Sequence, residues 1–227
     1  TTGLPIRSFD LQDDVAIEAA LAAADRAQRL WAGVPVTERA RILPRIAAVL
    51  RNDKARFAGM ITREMGKPIA EAEAEIEKCA MTCDFYAEHG PRWLADEAVA
   101  SSATESAVVF DPLGVVLAIM PWNYPFWQYF RFAAPALVAG NGTILKHANN
   151  VPESALAVQE VMEKAGVSPG LTATLLIDNS KVAALIADPR IAAVTLTGST
   201  EVGAIVAGQA GRALKKQVLE LGGSDPF

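Results

Sequence analysis

Four short stretches hold the residues whose types and spacing could do chemistry: "MPWNYP" (120–125), "LKHANN" (145–150), "LTGSTEVG" (196–203) and "LELGG" (219–223). Glu220 sits where a strand-like run meets a double-glycine turn, a place suited to a proton-transferring carboxylate. Asn123 lies between Pro121 and Pro125, which stiffen the backbone and present its amide in one pose. Such an NH₂ group can donate to an oxygen that becomes negative during reaction. A proline-bracketed turn whose Asn satisfies local backbone groups is the plainer account. Lys146, leaving a strand, suits ribose hydroxyls or a phosphate, or is a solvated strand-end lysine. Gly198 permits a close turn, and a helix starting after Ser199 offers unpaired N–H groups to a phosphate; capping alone would also explain that pair. Each signal is modest, but all four follow strands in succession.

Those strands imply an architecture. From 113 onward, "VVLAIM", "TILKH", "TATLLI", "AAVTLTG" and "QVLEL" alternate with helical patterns within 125–140, 152–166, 180–188 and 200–214. The alternation predicts an α/β fold, a doubly wound parallel sheet covered on both faces. Such sheets bind ligands beyond the carboxyl ends of their strands, where the four stretches fall. Residues 1–96 read as a helical leader packed on this domain. The leader has a helix over 13–33 with Ile17, Leu21 and Ala24 on one face, and a second from an N-cap at Thr37 to a break near Gly66. A third helix runs from Pro68 to Gly90. Residues 97–112 read as a β-hairpin region of two or three strands with "DPLG" as a turn. Residues 113–219 carry the alternating strands and helices of this sheet, and 220–227 follow its last strand.

Composition narrows the class. A net charge of −5 with no basic block argues against nucleic acid as a partner. No apolar run approaches the roughly 18 residues of a membrane span, and no signal pattern opens the chain. The two cysteines, Cys79 and Cys83, make no disulfide framework. Their i, i+4 spacing places them on a helix face in a structural role, and two thiols alone are a poor metal site, so no metal is expected. A cytoplasmic protein without membrane or nucleic-acid partners is expected.

In combination, "PWNYP", "LKHA", "LTGSTEVG" and "LELGG" resemble the aldehyde dehydrogenase superfamily, and the similarity runs over the whole chain. The resemblance implies a dinucleotide-binding, Rossmann-like domain over 113–219, the start of a catalytic domain at 220–227, a projecting hairpin, and a homodimer or homotetramer at full length. It implies that Asn123 helps form the oxyanion hole and that Glu220 is the general base. The nucleophile would be a cysteine a few tens of residues further on, making this chain the amino-terminal, cofactor-binding part of a longer enzyme. The cofactor would lie against Met120, Pro121, Trp122, Lys146, His147, Ala148, Asn149, Gly198, Ser199, Val202 and Leu221.

Two positions refine that expectation. Arg131 lies in an aromatic helix, and a guanidinium among rings calls for an anionic partner. By resemblance, an Arg eight residues after the motif Asn occurs in succinate-semialdehyde dehydrogenases, where it helps hold the substrate carboxylate, with Trp127 as a second substrate contact. Many relatives have Lys at the next position, where this chain has Phe132, so the resemblance does not carry over a Lys-assisted proton relay. NAD-preferring relatives commonly place Glu where this chain has Asn149. A neutral side chain beside Lys146 and His147 does not repel a 2′-phosphate, so NADP is expected, with NAD the alternative. Another departure is "DNSKVA" (178–183), where the family often has glycines. The function implied is oxidation of succinic semialdehyde, or a similar carboxylate-bearing aldehyde, through a cysteine thiohemiacetal and thioester. A non-catalytic dinucleotide-binding protein is the competing class. An alcohol-type dehydrogenase is disfavoured by the missing G-x-G-x-x-G.

Overall fold

The computed structural model describes residues 7–223. The leader opens with α1 (Asp14–Ala32), capped by Asp13, whose carboxylate accepts from Ala16 N at 2.8 Å, and stopped at Gly33. Ile17, Leu21 and Ala24 all face the core. The single long helix expected after Thr37 is three: α2 (Val36–Ala40), α3 (Ile42–Asn52) and α4 (Lys54–Met65). Thr37 is not the N-cap; it lies inside α2, which starts after extended Pro35. Breaks at Arg41 and Asp53 fold the chain back, so that Leu43, Ile46, Leu50, Phe57 and Ile61 are all fully buried in one core. Gly66, at φ +78, ends α4 in the left-handed conformation glycine tolerates best.

Pro68 caps α5 (Ile69–Trp93) rather than opening it, a one-residue difference. The helix also passes the expected stop at Gly90. A Cβ there would press into Val138, so this glycine serves close packing instead. Next come β1 (Glu97–Ala98) and β2 (Ala107–Val108), paired antiparallel and much shorter than the strands expected. Residues 97–110 are exposed, apart from half-buried Ser106. "DPLG" is an extended lead-in, not a turn: Leu113 N and Gly114 N both donate to Asn141 Oδ1.

The remaining elements alternate as expected: β3 (Val115–Met120), α6 (Trp127–Val138), β4 (Gly142–His147), α7 (Pro152–Ala165), β5 (Thr172–Thr174), a 3₁₀ turn (Asn179–Lys181), α8 (Val182–Ala187), β6 (Ile191–Thr197), α9 (Thr200–Arg212) and β7 (Lys216–Glu220). The five strands are parallel, in order β5-β4-β3-β6-β7. Strand side chains alternate between faces. In β3, Val115 and Leu117 join the core under α1, α8 and α9, while Ala118 and Met120 join the one under α6, α7 and the leader. "TATLLI" forms only a three-residue strand. Beyond it Gln12 takes over both backbone groups of Leu176, which Thr174 and Leu175 would otherwise lead into a longer ladder.

Candidate functional site

Because β4 departs to one side of β3 and β6 lies on the other, strand order reverses at the sheet centre, where such folds bind ligands. A cleft of about 360 Å³ opens there. Met120 and Pro121 line it from β3, Lys146, His147, Ala148 and Asn149 from β4, and Gly198, Ser199 and Val202 from the start of α9. Nine of the eleven residues expected to touch the cofactor therefore share one cleft. Trp122 is exposed and outside this lining, and Leu221 packs on α9, against the bare Cα of Gly203.

Lys146 is the charged centre of the cleft. Only 4% of it is exposed, and Nζ donates to Asn149 Oδ1 at 2.8 Å and to Asn179 Oδ1 at 2.5 Å. Burial pulls its pKa below the ordinary lysine value, with the nearby Asp178 carboxylate opposing that shift. Asn179 was not singled out by sequence reasoning. The signal lay in "DNSKVA", which follows the fifth strand as the other site stretches follow theirs. No carboxylate occurs among the described residues lining the cleft.

His147 has a different part. Its Nε2 donates to Pro125 O at 2.9 Å and its Nδ1 accepts from Ala148 N, so the ring is neutral. Burial lowers its pKa to about 4, and it adds no positive charge to the cleft near neutral pH. Ser199 caps α9, its Oγ accepting from Val202 N at 3.2 Å, and the helix start faces the cleft.

Asn123 lies exposed three residues beyond β3. Glu220 ends β7 opposite Thr197 of β6. Its Oε2 is 3.7 Å from Arg131 Nη1, while Arg131 Nη2 donates to Thr197 Oγ1 at 3.4 Å. The guanidinium's anionic partner in this structure is thus Glu220 itself. Both residues stand at the rim of an apolar groove of about 730 Å³ between α6 and the β3–β6–β7 face. Trp127, one turn before Arg131, lies under the Lys78 ammonium at 4.0 Å. Cys79 and Cys83 are buried within α5, and desolvation pushes both thiols well up. No helix among the described residues is long and apolar enough to cross a membrane.

Comparison with known proteins gives concordant results. The aldehyde dehydrogenase family matches residues 1–227. A probable succinate-semialdehyde dehydrogenase [NADP(+)] of Synechocystis is 47% identical over 226 residues, which is 100% of this chain and 50% of that protein. The Escherichia coli succinate semialdehyde dehydrogenase [NAD(P)+] Sad is 49% identical over 211 residues, 93% of this chain and 46% of that protein. The solved succinic semialdehyde dehydrogenase of Streptococcus pyogenes, in complex with NADP+, superposes with a TM-score of 0.93 at 35% identity, covering 97% of this chain and 49% of that one. The chain spans about half the length of the curated relatives it matches.

Proposed function

The chain belongs to the aldehyde dehydrogenase family, and from that premise we propose that it forms the cofactor-binding portion of an NADP-dependent succinate-semialdehyde dehydrogenase. The observation that carries the cofactor reading is the setting of Lys146: a buried ammonium held by two neutral amides in a cleft lined by no carboxylate among the described residues. A 2′-phosphate meets a cation among the cleft-lining residues, and the nearby Asp178 carboxylate stands outside that lining. The NADP(+) in the names of several relatives supports the same choice.

NADP+, when bound, accepts the hydride that leaves the substrate. The chain's own residues bind, orient and move protons. Lys146 holds the ribose and its phosphate, and the Ser199-capped start of α9 offers N–H groups to a phosphate. Asn123 donates to the oxyanion formed when a thiolate adds to the aldehyde. Glu220 takes a proton from the water that hydrolyses the thioester, and Arg131 pairs with the substrate carboxylate, giving succinate. The thiolate belongs to neither cysteine of this chain, because burial keeps both thiols protonated and away from the strand ends.

Calorimetric titration tests the cofactor site. NADP+ should bind more tightly than NAD+, and Lys146→Ala should weaken both. Asn149→Glu should weaken NADP+ alone by roughly fivefold or more, since a like-charge contact at 4 Å costs about 1 kcal/mol even in water. The ammonium holds phosphate only when charged, and its pKa is lowered. NADP+ affinity should therefore fall as pH rises, and the fall should begin at a lower pH than an ordinary lysine would set. Unchanged NADP+ affinity in both variants would overturn the site.

A further inference from the structure

The helix that follows Asn123 begins without a cap of its own. Phe126 occupies the N-cap position of α6 and has no side-chain acceptor to offer. The acceptor comes from another helix: Glu75 of α5, 3% exposed, takes Phe126 N at 2.9 Å and Trp127 N at 3.0 Å on its Oε1. Its Oε2 pairs with Lys67, itself buried. The Lys67 ammonium also lies 3.5 Å from the centre of the Tyr124 ring. At the next residue His147 Nε2 donates to Pro125 O. Each of the four residues 124–127 is thus held by a group outside the loop, and Asn123 is the next residue out.

We propose that Glu75 and Lys67 are positioning residues that clamp the 121–127 loop and set the pose of the Asn123 amide. This rests on the reading of Asn123 as oxyanion donor. An oxyanion donor works only if its geometry is set before the charge develops, and an exposed asparagine on a loop has no such order by itself. A buried carboxylate that neutralises a buried lysine and caps a helix costs desolvation that an apolar pair would avoid. The clamp gives that expense a use.

The test uses the full-length enzyme that carries this chain. Glu75→Gln keeps shape and one acceptor but sets an amide NH₂ against Lys67; Lys67→Met removes the ammonium and keeps the stem, should the first variant fold poorly. Each should speed amide hydrogen exchange over 124–128 by tenfold or more while exchange in α7 stays unchanged. Each should also slow the burst of NADPH by tenfold to a hundredfold, with KM for NADP+ altered less than twofold. In an Asn123→Ala background the same substitutions should change the burst less than twofold, because the clamp acts through that amide. Equal losses in both backgrounds, or unaltered exchange over 124–128, would overturn the proposal. If Asn123→Ala alone leaves the burst intact, the oxyanion assignment falls and the clamp's catalytic role with it, an outcome separable from failure of the clamp by the exchange data.

Discussion

Arg131 pairs with Glu220 here and, by the proposed function, with a substrate carboxylate during turnover. In the free protein it lies 3.7 Å from Glu220 and 3.4 Å from the Thr197 hydroxyl, at a rim open to water. An ion pair this exposed contributes no more than about 1 kcal/mol, so it can be exchanged for a better partner. A substrate carboxylate accepting two guanidinium N–H groups is such a partner, and its arrival would release Glu220 for proton transfer. The reading predicts a selective loss. Arg131→Ala should raise KM for succinic semialdehyde about tenfold to a hundredfold, the range expected when a charged hydrogen bond worth roughly 1.5–3 kcal/mol is removed. Butanal, which lacks the carboxylate, should be oxidised about as before. Comparing kcat/KM for the two aldehydes decides it, and equal losses would remove Arg131 from the substrate site.

At the scale of elements, the leader supplies what the sheet's helices lack. Val151 opens α7 without a side-chain acceptor, and Glu64 of α4 accepts instead from Glu153 N at 2.6 Å and Ser154 N at 2.8 Å. With Glu75 of α5 accepting from the start of α6, this makes two helices packed on the sheet that are capped from the leader. Glu64→Ala should cost about 1–2 kcal/mol in urea unfolding, as loss of an N-cap does, whereas Glu88→Ala, at an exposed site, should stay within about 0.5 kcal/mol. These caps also mark the limit of what the sequence disclosed. The sheet strands and α7 were legible because apolar period, Pro152 at the helix start and Gly166 at its end are local signals. Lys146, Gly198 and Ser199 were legible because they lie at or just past strand ends, whereas the other cleft residues came with the family resemblance. Glu64 lies 89 residues from the amide it caps and Glu75 lies 51 from its own, and such a partner leaves no trace in either stretch. The same holds for the shortened β5, ended by Gln12 from the other end of the chain, and for Asn179, brought to Lys146 across 33 residues.

At the scale of the molecule, the hairpin stands apart from everything the cores explain. Its strands are two residues each and pair only with one another among the described residues, and an isolated two-stranded ribbon is marginal in water. Val99, Val108, Val109 and Phe110 are 47%, 47%, 56% and 44% exposed, and no described element covers them. A ribbon with open edges and bare valines is stabilised by adding a strand or burying a face, and we propose that a second subunit provides both. The expected outcome is a homodimer or homotetramer of the full-length enzyme in sedimentation. Val109→Lys with Phe110→Asp places charges on apolar residues that the second subunit would cover and should shift it to smaller species. The cleft at Lys146 lies at the carboxyl end of β3 and the hairpin joins the amino end of that strand, so cofactor affinity should change little. A wild-type enzyme that sediments as a monomer, or a charged variant that assembles as before, would leave the hairpin without this role.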